Sequence, residues 1–219
     1  MPSIYIIDKL KLSRDGLEAK GSNGKLVEFP QQQSSLGGEC VVCSVIMALL
    51  SLGYLSKEDI DTFHRPDKRT QKGKLLSLLL YEQGFVCEGY QLIKMKKDIE
   101  QISHDLSVQH FEASENCFSD IGKILDQDIP VILSLTTASN SKSAHAVLAV
   151  GSEYSPSDKR QKLFCIDPGF SCNDVYWNCV IDISRKNTGK YPYWYLPSGH
   201  PEYHDKVKLN EFLIIQKYK

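Results

Sequence analysis

The chain has 219 residues, with 26 Lys plus Arg against 27 Asp plus Glu and a formal net charge of −1, so it lacks the broad basic field that holds nucleic acid. Its 42% hydrophobic content supplies a core and excludes bulk disorder, and no tract of about 18 continuous apolar residues is present to span a membrane. Seven cysteines form an odd set in a chain too long for a small disulfide scaffold, which points to reduced thiols.

Met1-Pro2-Ser3-Ile4-Tyr5-Ile6-Ile7-Asp8 lacks the charged start and long apolar centre of a signal peptide, so a cytoplasmic protein is the default expectation. Export without a cleavable signal would leave the same sequence. Ser3 to Asp8 and Lys25 to Phe29 are short strand candidates, followed by a Gln/Ser/Gly loop that leads to Cys40. Val41 to Leu52 is almost entirely apolar with no Pro or Gly, which predicts a buried helix stopped at Gly53, where a left-handed cap costs little. Ser56-Lys57-Glu58-Asp59 has the capping residue and acidic first turn of a second helix start.

Further helical stretches are expected over Lys74 to Gln83, Lys94 to His104 and Ser119 to Leu125, with a strand over Phe85 to Tyr90. The local positive cluster Lys94, Lys96 and Lys97 reads as a solvated helix face. Val131 to Leu135, His145 to Val150 and Leu163 to Ile166 are short, apolar and rich in β-favouring residues. Ser155 to Arg160 is a polar loop between the last two, and Val175 to Ile183 and Glu211 to Gln216 would complete a sheet. Two readings stay open for Tyr191-Pro192-Tyr193-Trp194-Tyr195-Leu196-Pro197 and the following Ser198-Gly199-His200-Pro201. One is a wall that touches substrate or partner; the other is a long loop whose aromatic rings pack back onto the sheet.

Three segments carry the chemistry. Cys40 stands at the start of the first apolar helix, His145 opens one apolar strand, and Asp167 closes the next within Phe164-Cys165-Ile166-Asp167-Pro168-Gly169. A helix N-terminus and a neighbouring imidazolium both draw a thiol toward its thiolate, the reactive form. Asp167 would then orient His145 through its second ring nitrogen. Asp-Pro-Gly is also an ordinary turn sequence, so Asn173 and Asp174 stand as alternative orienting groups. Cys43, three residues after Cys40, reads as a small core residue; a Cys-x-x-Cys redox pair or half of a zinc site are the rival readings. No second Cys-x-x-Cys or close His pair is present to complete such a zinc site, and no strand leads directly into the pair. His64, His104, His110, His200 and His204 lack comparable surroundings.

The ordered set resembles the C39-like branch of the papain-like cysteine peptidases. Residues 30 to 53 are similar to that family's nucleophile helix and its approach, and residues 128 to 170 to its strand, His-strand and Asp-Pro pattern. The resemblance implies a papain-like α+β domain spanning 1–219, with a helical lobe carrying Cys40 against an antiparallel sheet carrying His145 and Asp167. It also implies a Gln that donates into an oxyanion hole. Gln33 takes that role here, with Ser34 at the family's usual spacing and Gly37-Gly38 absorbing the offset of one residue. Val41 replaces the glycine that commonly follows the family's nucleophile.

The expected activity is that of a cysteine peptidase or amide-bond hydrolase working through an acyl-enzyme on a peptide or protein substrate, with no metal or organic cofactor. A transglutaminase-like acyltransferase would use the same intermediate with an amine as acceptor. A papain-like binding module that has lost catalysis is the reading from a different class. The sequence carries no signal for oligomeric state.

Overall fold

A computed structural model describes residues 2–29, 32–33, 38–79, 90–155, 160–172 and 175–218. The chain opens with β1 (Ser3–Ile6), then a three-stranded antiparallel sheet of β2 (Leu10–Ser13), β3 (Gly16–Lys20) and β4 (Leu26–Glu28). Helix α1 (Cys40–Ser51) follows. All of its residues are buried, and it packs on β3 and on two strands of the main sheet described below. Each Val, Leu or Ile so enclosed contributes roughly 1.5–3 kcal/mol, which fixes the helix more firmly than propensity alone. Its end is a Schellman motif: Gly53 N–H donates to Leu50 O at 2.8 Å and Tyr54 N–H to Leu49 O at 2.9 Å, with Gly53 at φ 58°.

The short α2 (Lys57–Asp61) starts at the expected Ser56 cap, and Asp59 reaches back to make it a capping box. Helix α3 (Gln71–Ser77) starts three residues earlier than the apolar run suggests, because Thr70 caps it by accepting from Gly73 N–H at 2.9 Å. The expected end of that helix and residues 85–89 of the expected strand lie outside the described residues; Tyr90 is not in a strand. Helices α4 (Leu92–Ile102) and α5 (Cys117–Leu125) fall where helical stretches are expected, with β5 (Leu106–Glu112) between them.

The remaining strands are β6 (Val131–Thr137), β7 (His145–Tyr154), β8 (Arg160–Ile166), β9 (Cys179–Asp182), β10 (Tyr193–Pro197) and β11 (Asp205–Lys217). Every pairing is antiparallel, as expected, and the sheet is closed, a feature for which the sequence gives no expectation. Strands β6, β7, β8, β9, β10 and β11 pair in that order, and β11 pairs back onto β6, so the sheet closes on itself as a barrel. Strands β1 and β5 extend it along β7 and β11.

Two features produce the closure. Strand β10 bridges β9 and β11, in a segment expected as a substrate- or partner-contacting wall or as a packed aromatic loop. The long strands β7 and β11 carry register shifts between Ala149 and Gly151, between Glu153 and Tyr154 and between Leu209 and Glu211, and such bulges bend and twist a strand. Within the sheet, α1 rests on β6 and β7. One hydrophobic cluster joins α1, α4 and α5 to the barrel strands.

Candidate active site

The site lies where the first turn of α1 meets β7 and β8. Cys40 is the first residue of α1, behind Glu39, whose side chain does not cap the helix. The N–H groups of that turn have no intrahelical acceptor and place the positive end of the helix dipole at the thiol. Burial pushes the Cys40 thiol up, but its hydrogen bond to His145, the charge of that ring and the Ala146 N–H prevail and hold it below its ordinary value.

His145 is the first residue of β7, placed there by the register that sets Leu135 of β6 opposite it. Its Nε2–H donates to Asp167 Oδ2 at 2.8 Å, which leaves Nδ1 for Cys40. Desolvation opposes the imidazolium, yet the Asp167 charge and hydrogen bond, with the Cys40 thiolate, raise His145 to about 10. Its side chain is still 29% exposed, so the ring faces solvent beside the thiol.

Asp167 follows β8 directly and is wholly buried. Oδ1 accepts from Gly169 N–H at 2.6 Å, and Oδ2 accepts from His145 and from the Tyr195 hydroxyl. Burial alone would raise this carboxyl; the His145 charge and the three hydrogen bonds hold it below the ordinary carboxylate range. The Asp-Pro-Gly segment is therefore a turn and a partner of the histidine at once. The alternatives Asn173 and Asp174 lie outside the described residues.

Gln33 is tied to the same turn, its N–H donating to Pro168 O at 2.9 Å. It lines a cavity of about 500 Å³ with His145, Asp167, Phe170, Tyr195 and Tyr203. Cys40 lines a smaller cavity of about 170 Å³ with His145, Ser134, Lys142, Ala144 and Glu211. His145 borders both. Cys43 is buried, and burial with the nearby Glu39 and Cys40 charges pushes its thiol up to about 12, the behaviour of a core thiol rather than a redox partner. Among the described residues no three His, Cys, Asp or Glu side chains converge as a metal would require.

The family model described as "Peptidase_C39 like family" matches residues 27–195. The chain belongs to this C39-like family. No curated protein sequence matches it. Among solved structures, the crystal structure of UfSP from C. elegans is similar over 99% of this chain at 9% identity and a TM-score of 0.38; the alignment spans 35% of that chain. The family match takes in α1, β7, β8 and the start of β10, and with them Cys40, His145, Asp167 and Tyr195.

Two polar residues of this C39-like site escape a reading of the sequence. Tyr195, on β10, reaches Asp167 from the aromatic, proline-flanked segment, and Tyr203 and Glu202 beyond it line the larger cavity. Tyr193–Pro197 is thus a strand rather than part of a loop, with the Tyr195 ring buried against the sheet. Asn178, 2% exposed, clamps the turn: its Oδ1 accepts from Asp167 N–H at 2.7 Å, and its Nδ2 donates to Asp167 O and Phe170 O, each at 2.9 Å. Neither residue sits in a motif. A hint for Tyr195 is its apolar-aromatic surroundings between two prolines. Asn178 offers no sequence signal. Of the other histidines, His110 pairs with Glu211 at 2.5 Å, His200 packs tilted against the Phe170 ring, and His204 lines the larger cavity.

Proposed function

We propose that the protein is a cysteine peptidase, or a closely related amide-bond hydrolase, acting through Cys40, His145 and Asp167 on a peptide or protein substrate. The observation that carries this reading is the juxtaposition of a thiol at a helix N-terminus with the His145 ring in one cavity, that ring being hydrogen-bonded in turn to a fully buried carboxylate. A structural cysteine has no need of such a partner, and a depressed thiol in a solvent-facing cleft is the environment of a nucleophile. The arrangement of a helical lobe bearing Cys40 on an antiparallel sheet bearing His145 is the papain-like design, with the 219 residues acting as one domain.

In this mechanism the Cys40 thiolate attacks the substrate carbonyl, and the amide backbone N–H groups at the start of α1, with the Gln33 side-chain amide, steady the tetrahedral oxyanion. His145 passes its proton to the leaving amine, which departs and leaves a thioester on Cys40. His145 then takes a proton from water as the water attacks, and the acid product leaves with the thiol restored to the ion pair. Asp167 keeps Nε2 protonated throughout, so Nδ1 is the nitrogen that exchanges protons with the substrate. The two cavities that meet at His145 would receive the chain on either side of the scissile bond.

The test is mass-spectrometric mapping of a thiol-directed peptidase probe on the native protein, a denatured control, Cys40→Ala and His145→Ala. Rapid native labelling at Cys40 that is lost in His145→Ala is the expected result. Labelling spread over exposed thiols and indifferent to His145 would leave a binding module as the better account. Product mass with an added amine separates hydrolysis from transglutaminase-like transfer.

A further inference from the structure

Tyr195 lies on β10, is 6% exposed, and has one hydroxyl proton to give. That proton goes to Asp167 Oδ2, the same oxygen that accepts from His145 Nε2. The Cys179 thiol, on the neighbouring β9, lies within hydrogen-bonding reach of the same hydroxyl. Burial keeps that thiol protonated, so it offers the hydroxyl no competing anionic acceptor. The Tyr195 ring also sits edge-on to His145, with centroids 6.5 Å apart. The titratable groups that face Asp167 are thus His145 from β7, Tyr195 from β10, Cys165 from β8 and Cys179 from β9, with Cys40 from α1 beyond the imidazole.

A single oxygen that serves two donors divides its charge between them. A hydroxyl bonded to a carboxylate stabilises the charged form and disperses its negative charge. Here no solvent can do that, because Asp167 is wholly buried. We propose that Tyr195 is a positioning residue of this site: its hydroxyl, acting through Oδ2 of Asp167, limits how tightly the carboxylate holds the proton of His145. The consequence for catalysis is direct. An imidazolium bound too firmly by Asp167 is a poor acid toward the leaving amine, and Tyr195 keeps it releasable while still fixing the ring.

The inference rests on the reading of Cys40, His145 and Asp167 as one unit, and the experiment separates the two. The His145 ring proton is followed by NMR across pH in Cys40→Ala, which takes the thiol out of the titration. Asp167→Asn in that background should lower the His145 midpoint; no lowering would mean that the two residues are uncoupled, and both the catalytic reading and this inference would fall. With Asp167 intact, Tyr195→Phe raises the midpoint by roughly half a unit. In Asp167→Asn the same change leaves it within measurement error, since there is no charge to disperse. An unmoved midpoint with Asp167 present, or an equal shift in both backgrounds, overturns the role of Tyr195 and leaves the Asp167 coupling standing. If Tyr195→Phe does not fold, replacement of Tyr195 by a ring-fluorinated tyrosine keeps the packing and strengthens the donor. The midpoint then falls, and an unchanged one counts against the inference.

Discussion

A carboxylate with no solvent contact stays charged only if its lone pairs are met, and Asp167 is met from every side. His145 and Tyr195 share one oxygen, Gly169 takes the other, and Asn178 holds the backbone. The charge so preserved is what raises His145 and, through it, depresses Cys40. Alkylation of Cys40 should therefore set in below the ordinary thiol range as pH rises. In His145→Ala the partner is gone, and burial with the Asp167 charge outweighs the Ala146 N–H, so the onset moves above that range. An onset at the same pH in both proteins would show that the ion pair does not exist. Stability carries the matching signature. A raised histidine contributes in full below its unfolded value of about 6.5 and loses that contribution as pH rises through about 10. The gap in melting temperature between the wild-type protein and His145→Ala should accordingly shrink across that interval.

At the scale of elements, local signals were the legible ones. The apolar run after Cys40, the stop at Gly53 and the Ser56 to Asp59 cap each lie within a few residues of the structure they specify. Gly53 gives a quantitative check: at φ 58°, an alanine Cβ would also come within 3.3 Å of Lys20 O. Gly53→Ala should cost about 1–2 kcal/mol, read from the denaturant midpoint, and Gly53→Asn less, because asparagine tolerates the left-handed region. Equal losses would shift the cause from backbone conformation to crowding against β3. Strand β10 was not legible for a physical reason. Pro192 precedes it and Pro197 ends it, which argues against a strand, and its pairing is with β9 and β11, so only the assembled barrel supplies its hydrogen bonds. Tyr195 was hidden with it. The hairpin of β2 and β3 was missed as well, although Asp15-Gly16 sits at its turn, because its alternation is short and broken by charge. His145 and Asp167 could be read because each ends or begins an apolar run; Asn178, held by a tertiary clamp, could not.

Across the whole molecule, the site depends on a junction: α1 supplies the thiol, while the closed sheet fixes the imidazole and the carboxylate on adjacent strands. Within the ring β7 is paired on both sides, to β6 and to β8, which opposes a slip between them, and a slip of one residue would turn His145 to the other face. Strand β1 contributes by lying along the second half of β7, with Ile6 opposite Gly151. The approach there is close. A Cβ added at Gly151 would meet Tyr5 O at 2.4 Å and Ile6 Cδ1 at 2.5 Å, and the first of these is backbone that cannot rotate away. Gly151→Ala should therefore lift β1 from the barrel and lower stability by about 1–3 kcal/mol, with faster amide exchange in residues 3–6 than elsewhere in the sheet. His145 lies at the far end of β7, in the half that β6 holds, so Cys40 labelling should persist under conditions where the variant remains folded. Loss of labelling in a folded Gly151→Ala would mean instead that β1 and the site form one cooperative unit, with the start of the chain needed to hold the histidine in place.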